Sequence, residues 1–522
     1  MNNKVMRDLL VLSAVVLATL LPFVNKPFNV DDPFYLAAAN QLIKDPLHPY
    51  SYSINWSGEL RDVWGKMEAT FPPLVTAYTA VISMIFGQKE WVLHLFFLVF
   101  PFSAAAAMYF IAKKFVKAPL FAALLFAVCP SFLVSATSIM LDVPLCALML
   151  CSTALFIYGA DSGDKRQLIL GSAVAGLAVL AKYSGILVIP VLVLYLLFSK
   201  KLKYAVYLLI PFAFLGLWCL HNEIVYGGMH FLLASGHIGK GVSLHKIFSF
   251  GTFFSGCLVF PVLLLFAADL KEARALAVWA LVLFVFGKLV LGDTGVSVLF
   301  AVFCTASLYF IYAAVLKSKL IDRFVLAWFF TGFLAVIILE PWMSARYLLI
   351  ILPPAAIIFA KILETLTEKR AKALSCASFS AVLVLGISVA VADYIWADSY
   401  KALSGYVQDK GCNTGYFLGH FGFQYYLEKA GMTALEVNKP LPGGGYLIAA
   451  KIPDPQRPSS ETSSRLKLKE LKPLKSAFPL RLMNPKLRVG FYSSYWGILP
   501  FNFSTAPLDE IAIFEIGGER HL

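Results

Sequence analysis

The chain is poor in charge: Asp, Glu, Lys and Arg make up only 14% of its 522 residues, whereas 59% are hydrophobic. A soluble globular protein needs a polar surface, so a composition this apolar excludes that class. The first three quarters also lack the alternating apolar and polar pattern of membrane-barrel strands. Apolar runs close to the roughly 20 residues that cross a bilayer recur instead, which predicts an all-α polytopic membrane protein.

The polar C-terminal tail has too few cysteines for a disulfide framework or a cysteine-based metal site. Of the eight cysteines, only Cys412 lies in the polar C-terminal tail, so the tail has no internal disulfide partner. Residues 1–24 lack a small-residue cleavage site after their apolar run, which predicts an uncleaved first span. The sequence has no internal repeat, which disfavours the repeat-built transporters.

The net charge of +13 is distributed in short basic clusters between apolar segments. By the positive-inside rule such clusters mark cytoplasmic loops, and they argue against nucleic acid as a partner. The clusters are Lys113-Lys114-Lys117, Lys165-Arg166, Lys200-Lys201-Lys203, Lys271-Arg274, Lys317-Lys319-Arg323 and Lys369-Arg370-Lys372.

These clusters decide which of fourteen apolar segments cross the membrane. If segment 71–87 crossed, nearly every later cluster would lie outside; if it lies along the outer surface, every cluster falls inside. The sequence therefore predicts about 13 transmembrane helices plus juxtamembrane helices, with a cytoplasmic N-terminus. The predicted spans are 9–24, 91–112, 118–136, 143–160, 167–181, 183–199, 204–221, 251–268, 275–291, 295–316, 324–340, 345–363 and 373–394.

The chain divides into a transmembrane domain, 1–395, and a small α+β domain, 396–522, on the outer side. The second domain combines short β-like runs with a predicted helix at Phe421–Ala430. Its stretch 452–476 is rich in Pro, Ser, Lys and Glu, which predicts a flexible loop. The β-like runs are Gly415–Leu418, Tyr446–Ala450, Val489–Tyr492 and Ile511–Ile516.

Ionisable residues at the ends of membrane spans are expensive and usually functional. Under the predicted topology they gather on the outer side, which indicates a cavity just outside the membrane. An acid there can take a proton from an acceptor hydroxyl, and cations can stabilise a phosphate leaving group. The residues are Asp31, Asp32, Glu68, Asp142, Lys182, His221, Glu223, Lys288, Asp293, Glu340 and Arg346.

Five motifs occur in order along residues 1–395. They are Asp31-Asp32 with Tyr35, Phe71-Pro72-Pro73-Leu74, Leu141-Asp142-Val143-Pro144-Leu145, Gly176-Leu177-Ala178-Val179-Leu180-Ala181-Lys182-Tyr183, and Ala345-Arg346-Tyr347-Leu348-Leu349 with Pro353-Pro354. Together they resemble the GT-C membrane glycosyltransferases of family 39 type. That group includes the protein O-mannosyltransferases and the lipid A aminoarabinose transferases.

The resemblance implies the GT-C fold for residues 1–395 and a polyprenyl-phosphate sugar as the donor. It also implies transfer with inversion on the periplasmic or lumenal side. Asp31 falls at the position of the general base, and Asp142 at that of a second outer acid. The positions near the donor phosphate fall on Lys182, Arg346 and Tyr347.

The chain departs from the family pattern at two places. Asp32, which we count with the catalytic acids, stands where the family usually has Glu. Thr70-Phe71 stand where bacterial members often have Glu-Lys, so Lys182 or Arg346 would have to replace a phosphate-binding lysine.

Each site residue also has a purely structural interpretation. Asp31-Asp32-Pro33 and Asp142-Val143-Pro144 both fit helix N-caps. Lys182 can snorkel to the interface, and Arg346-Tyr347 can anchor a helix end there.

Four histidines, at positions 221, 230, 237 and 245, share one outer loop. A divalent metal ion bound there would help a phosphate to leave, although their spacing fits no helical ligand pair. His221 and Glu68 are the metal-binding candidates, and no other cofactor is implied.

The favoured hypothesis is a hexosyl- or pentosyltransferase of the bacterial inner membrane, with its C-terminal domain in the periplasm. It would use a polyprenyl-phosphate sugar and a glycan, lipid or protein acceptor; the sequence leaves the sugar and the acceptor open. The alternatives are a transporter or lipid-glycan flippase without covalent chemistry, and an assembly subunit whose working part is the outer domain. An oligosaccharyltransferase is disfavoured because the Trp-Trp-Asp motif is missing.

Overall fold

The computed structural model describes residues 3–66, 68–236, 241–317, 319–441 and 444–517. Helices dominate the chain as far as Asp409, and a five-stranded sheet with two short ribbons follows. One continuous apolar core runs from the helices into the sheet region.

Within the described residues, seven helical segments are long and apolar enough to cross a membrane, or up to nine if two bent pairs each form one span. The protein is therefore a multi-pass integral membrane protein, and the count of thirteen stays a prediction. The seven are Asn3–Phe23, Glu90–Phe115, Asp142–Ser162, Leu202–Tyr226, Leu270–Leu291, Thr294–Leu316 and Glu368–Asp409. Shorter helices that coincide with predicted spans are Lys165–Ala181, Val188–Phe198, Arg323–Leu339 and Leu352–Leu363.

Proline accounts for the two bent pairs. Pro119–Val128 meets Pro130–Ala136 at 59°, and Leu244–Leu258 meets Phe260–Ala267 at 86°. In each pair a proline lies in the first two positions after the break, where its missing N–H and its ring interrupt the helical hydrogen-bond ladder. Val259, at the sharper break, adopts a left-handed φ of 66°.

Helices Asp142–Ser162 and Lys165–Ala181 pack closely as an antiparallel hairpin. A Cβ atom on Gly171 would lie only 2.8 Å from the backbone nitrogen of Phe156, so glycine permits this approach. The antiparallel arrangement brings the first residue of one helix beside Lys182, which directly follows the other. The hairpin thereby fixes two predicted site residues at one end.

The segment between the first two spans, which the sequence predicts to lie on the outer side, contains a β-ribbon and three helices among its described residues. Its helix Leu74–Phe86 has 13 residues and is about 20 Å long, which is shorter than the roughly 30 Å hydrocarbon core. It packs against the helix Asp32–Lys44 of the same segment. The remaining elements are Val63–Lys66 and the strands Ser53–Asn55 and Leu60–Asp62.

The last long helix, Glu368–Asp409, runs without a break across the predicted domain boundary at 395/396. Its 42 residues span about 63 Å, which exceeds even the roughly 45 Å of a bilayer with its headgroups. One end of this helix must therefore project beyond the membrane.

The tail contains a mixed five-stranded sheet, and the predicted helix is present as Phe421–Lys429. The prediction of a flexible loop at 452–476 was wrong. These residues contain the helix Ser460–Ser464 and the nine-residue strand Leu466–Leu474. The strand is held by antiparallel backbone pairing with Asp509–Ile516 rather than by an apolar face, because Leu468 and Leu471 are more than half exposed. The strand order is Thr433–Ala434, Gly415–Leu418, Tyr446–Ala449, Asp509–Ile516, Leu466–Leu474, with the first two pairings parallel and the others antiparallel. The ribbons are Leu480–Arg481 with Asn502–Phe503, and Met483–Asn484 with Val489–Gly490.

Candidate active site

The helical hairpin ends in an ion pair between Lys182 and Asp142. Lys182 Nζ donates to Asp142 Oδ1 at 2.9 Å, and only 6% of the Asp142 side chain is exposed. A carboxylate at the first residue of a helix is also favoured by the helix dipole. Because a buried charge without a partner is costly, each member of this pair stabilises the other.

Arg346 connects this pair to Asp31. It lies in the short 3₁₀ helix Ala345–Ile350, and its Nη1 contacts Asp31 Oδ2 at 2.5 Å. Its Nε is 3.8 Å from Asp142 Oδ2. Charges of opposite sign therefore alternate along a row of four side chains that we call the charged row: Asp31, Arg346, Asp142 and Lys182.

Two atoms of the charged row are buried without a hydrogen bond. They are Asp142 Oδ2 and Arg346 Nε, whose separation of 3.8 Å is too long for one. Native structures leave few buried polar atoms unpaired, and those that remain often mark a binding or catalytic site. The Nε–H of Arg346 is thus free to donate to an incoming anionic oxygen.

A narrow cavity opens beside the charged row. We call it the donor cavity, after the role that we propose for it under Proposed function. Asp142, Lys182, Glu340 and Arg346 line its polar end together with Tyr347. The Tyr347 ring is 5.3 Å from Lys182 Nζ and 5.6 Å from Arg346 Cζ, so it contributes cation–π attraction that helps to hold both cations.

From this polar end the donor cavity continues as an apolar groove between helices. A ligand that fills it would combine one polar or charged end with one long apolar part, because the ionisable side chains are confined to one end of the cavity. The apolar lining includes Leu145, Met149, Leu150, Val188, Val191 and Trp328.

Asp32 does not line the donor cavity, although it is adjacent to Asp31. Its carboxylate is fully buried and accepts the backbone N–H groups of Asn29 at 3.2 Å and of Ile139 at 3.1 Å. Burial raises the pKa of Asp32 to about 7, against the attraction of Lys26. A pKa near neutrality would suit a general base, but both oxygens are engaged by the backbone. The geometry instead makes Asp32 a clamp between the first outer loop and the turn before Asp142.

We expect the free energy of unfolding to fall as the pH rises from 3.8 to about 7, and the substitution Asp32→Asn to remove this fall. The folded protein keeps the Asp32 proton up to about pH 7, whereas the unfolded chain loses it near 3.8. Between these values the folded state binds more protons, so raising the pH destabilises it. Thermal unfolding of the detergent-solubilised protein across this range measures the effect.

The matched control is Asp45→Asn, an exposed acid of the same outer segment whose pKa is lowered by its hydrogen bond to His48. A lowered pKa gives the opposite slope, so this variant retains the fall. Identical pH profiles for the wild type and the Asp32→Asn variant would contradict the assignment.

A buried ion pair that the sequence analysis missed joins Lys26 to Asp393. Lys26 Nζ also donates to Thr137 Oγ1 at 3.1 Å and to Ser138 Oγ at 3.0 Å. Tyr492 of the tail donates to Asp393 Oδ1 at 2.8 Å. The pair thus links the first outer loop, the turn before Asp142, the last long helix and the tail. The sequence does contain a signal for this pair, because Asp393 is an acid inside an apolar run.

The two predicted metal ligands, His221 and Glu68, have other contacts. Glu68 accepts from Arg61 Nη1 at 3.1 Å, and the His221 ring stacks on Trp218 at 5.2 Å. Among the described residues no group of three or more His, Cys, Asp or Glu side chains could hold a metal ion. His237, which belongs to the same predicted cluster, lies outside the described residues. The donor set therefore gives no support to a metal site.

His230 from the same loop has a structural role. It is buried, and burial lowers its pKa to about 4, so the ring is neutral at physiological pH. Its Nε2 is 3.0 Å from the Ala69 carbonyl oxygen and its Nδ1 is 2.7 Å from the Tyr183 hydroxyl. These partners fit a ring that donates from Nε2 and accepts at Nδ1. His230 thereby ties the outer loop to the segment that precedes Phe71.

Residues 70–222 match the family described as dolichyl-phosphate-mannose-protein mannosyltransferase. The match includes Asp142 and Lys182; it begins after Asp31 and ends before Arg346. The fold and this match define the class: a multi-pass membrane protein with a region similar to that mannosyltransferase family. The motifs predicted a resemblance to this kind of family, and the match to the mannosyltransferase family confirms it over residues 70–222.

Three solved structures are similar to the chain at low identity. ArnT from Cupriavidus metallidurans bound to undecaprenyl phosphate is 17% identical, with 86% of this chain and 93% of that chain covered and a TM-score of 0.43. The S. cerevisiae protein O-mannosyltransferase Pmt1-Pmt2 complex bound to the sugar donor is 16% identical, with 48% and 36% covered and a TM-score of 0.32. Arabinofuranosyltransferase AftD from Mycobacteria is 10% identical, with 98% and 42% covered and a TM-score of 0.39. No curated protein matches the sequence.

Proposed function

We propose that the protein is an inverting membrane glycosyltransferase that moves a sugar from a polyprenyl-phosphate donor to an acceptor hydroxyl. The observation that carries this proposal is the shape of the donor cavity, which has two cations at one end and an apolar groove beyond them. A sugar phosphate on a hydrocarbon chain has the same division. The match to a family that uses a lipid-phosphate sugar supports the same class of donor.

In this proposal Lys182 and Arg346 bind the donor phosphate. Cations confined to a largely dehydrated cavity interact strongly with an anionic oxygen, and arginine can bind two of its oxygens at once. Asp142 holds both cations in place, and Tyr347 supports them from one side. The apolar groove binds the first part of the polyprenyl chain, which enters from the bilayer between helices.

The transfer step needs a base and a stabilised leaving group. The Asp31 carboxylate takes the proton of the acceptor hydroxyl while the acceptor oxygen attacks the anomeric carbon. The bond between that carbon and the phosphate oxygen breaks, and the polyprenyl phosphate leaves with the electron pair. Lys182 and Arg346 stabilise the additional negative charge. One displacement inverts the anomeric configuration.

Donor binding would also prepare Asp31 for its role. Without a ligand, Asp31 is paired with Arg346 and its carboxylate is engaged. A phosphate competes for the same guanidinium, because it can accept from both Nη1 and the unpaired Nε. Release of Asp31 from this pair makes it a stronger base at the moment when a donor is present. Asp32 stays in its clamp and supports the loop.

We place the charged row on the outer side of a bacterial inner membrane, with the N-terminus in the cytoplasm and thirteen spans in residues 1–395. Residues 396–522 form the periplasmic domain, and the helix Glu368–Asp409 projects into it. The basic clusters support this arrangement: Lys165 and Arg166 begin the helix Lys165–Ala181, whose opposite end leads directly into Lys182.

The test is transfer of a labelled sugar from a polyprenyl-phosphate sugar by the purified protein in lipid nanodiscs. Acceptors are offered as separate lipid, glycan and protein fractions, and products are identified by mass spectrometry. A covalent product with inverted linkage supports the proposal. Movement of the labelled lipid across liposomes without any covalent product would instead establish the transporter alternative.

The substitution Arg346→Gln is expected to raise the KM for the donor by about tenfold or more, with little effect on the KM for the acceptor. Loss of a charge-assisted hydrogen bond to phosphate removes about 1.5–3 kcal/mol, and about 1.4 kcal/mol is tenfold. The control is Arg323→Gln, an exposed arginine at the first position of helix Arg323–Leu339, outside the donor cavity. Equal donor KM values for Arg346→Gln and the wild type would remove Arg346 from the phosphate site.

A further inference from the structure

A second cavity, of about 350 Å³, lies where the tail meets the membrane-spanning helices. We call it the lateral groove. Its walls come from helices Leu244–Leu258, Leu270–Leu291 and Thr294–Leu316, and its outer end comes from the tail loop 488–498. None of the residues of the charged row lines it.

The membrane-side wall of the lateral groove is apolar and open to the bilayer. Phe248, Phe286, Val290 and Leu291 line it, and 59% of Val290 is exposed. Val290 lies on the helix Leu270–Leu291, where Leu283 and Gly287 are the buried residues. An apolar groove at the edge of a helix bundle is open to a hydrocarbon chain from the side.

The outer end of the lateral groove is basic and aromatic. Arg488 and His245 line it with Tyr495 and Trp496, and no Asp or Glu is among its described lining residues. Within the described part of the chain, the Arg488 side chain has no ion pair or hydrogen bond. Arginine with tyrosine and tryptophan at the membrane boundary is the combination that meets lipid headgroups.

The position of Arg488 is fixed by its backbone. It adopts a left-handed φ of 56°, and a Cβ on Gly497 would lie 1.8 Å from the Arg488 carbonyl carbon. The Leu499 N–H donates to the Arg488 carbonyl oxygen at 3.0 Å. The loop therefore holds this cation above the groove at the cost of an uncommon backbone conformation.

We infer that the lateral groove binds one bilayer lipid with an anionic headgroup, its acyl chain against Val290 and Phe286 and its phosphate at Arg488. The groove differs from the donor cavity in its lining and lies on other helices. The binding holds whether or not the protein transfers a sugar.

A lipid bound here would support one wall of the active site. The Met343 N–H donates to Ser494 Oγ at 3.1 Å, and the Ser494 N–H donates to the Met343 carbonyl oxygen at 2.8 Å. Ser494 lines the lateral groove, and Met343 lies three residues before Arg346. Occupation of the groove therefore stabilises the segment that presents Arg346 to the donor cavity.

The test is native mass spectrometry of the delipidated full-length protein with phosphatidylglycerol, phosphatidylcholine or free glycerol phosphate. Phosphatidylglycerol is expected to bind at least several-fold more tightly than phosphatidylcholine, and free glycerol phosphate not measurably. Arg488→Gln is expected to weaken phosphatidylglycerol binding by about fivefold, the effect of roughly one cation at a lipid surface. Arg457→Gln, an exposed arginine of the same domain outside the groove, is the matched control.

A second pair of variants tests the apolar wall independently of charge. Val290→Trp fills the lateral groove and is expected to abolish the bound lipid, while Leu289→Trp, on the neighbouring exposed position outside the lining, retains it. The inference is overturned if Arg488→Gln and Val290→Trp bind phosphatidylglycerol as the wild type does. It is equally overturned if Arg346→Gln abolishes this binding, because the lipid would then occupy the donor cavity.

Discussion

Replacing Asp31 by asparagine is expected to lower the rate of sugar transfer by about 100- to 10,000-fold, the range of a lost general base. Asparagine keeps the shape of the side chain but cannot accept the proton of the acceptor hydroxyl. The rate is measured at saturating donor with a polyprenyl-phosphate sugar. Because Asp31 is proposed to act on the acceptor, kcat should carry most of the loss.

The substitution Asp31→Asn also breaks the ion pair with Arg346, and this has a measurable effect on donor binding. Removing the Asp31 charge frees the guanidinium that Asp31 contacts at 2.5 Å, so donor affinity should stay equal or rise. A fall in kcat together with an unchanged or lower donor KM distinguishes a lost base from a damaged site. Loss of Arg346 gives the opposite pattern, in which the donor KM rises.

Two controls test whether the loss of transfer is specific to Asp31. Asp45→Asn removes an exposed acid of the same outer segment and should leave transfer unchanged. Thermal unfolding of the Asp31→Asn variant should match the wild type within a few degrees, because Arg346 keeps the charge of Asp142 at 3.8 Å from its Nε. Transfer by the Asp31→Asn variant within about threefold of the wild type would exclude Asp31 as the base.

Replacing Lys26 by methionine is expected to produce the largest loss of stability. It leaves Asp393 as a fully buried carboxylate that keeps only the hydrogen bond from Tyr492. Breaking one side of a buried ion pair costs about 3–5 kcal/mol. The melting temperature of the detergent-solubilised protein should fall by several degrees, and the tail should become more accessible to protease because the pair fastens it to the helices.

The double variant Lys26→Met with Asp393→Asn separates charge from packing. With both charges removed, no buried ion remains uncompensated, so the double variant should be more stable than Lys26→Met alone. Lys44→Met, an exposed lysine on the next helix, is the control and should leave the melting temperature unchanged. A double variant as unstable as the single one would show that shape, rather than the ion pair, holds this junction.

The helical part of the chain could be predicted because its signal is local. Apolar length and basic flanks placed helices at almost every predicted span, and a 13-residue helix lies in the segment expected along the surface. Composition was misleading in the tail, where Leu466–Leu474 forms a strand within a polar stretch. There the strand forms by backbone pairing with Asp509–Ile516, a partner that lies later in the chain and that local composition does not reveal.

The sequence by itself determined the membrane class, the family resemblance and the identity of the charged residues, since these depend on residue type and order. Only the tertiary structure decided their partners: Arg346 pairs with Asp31 across 315 positions, and Lys26 of the first loop pairs with Asp393 of the last long helix. It also separated Asp31 from Asp32. Successive residues at a helix start point about 100° apart, so one carboxylate reaches Arg346 while its neighbour is clamped in the core. Such pairings depend on which helices pack together, and no local pattern in the chain records that.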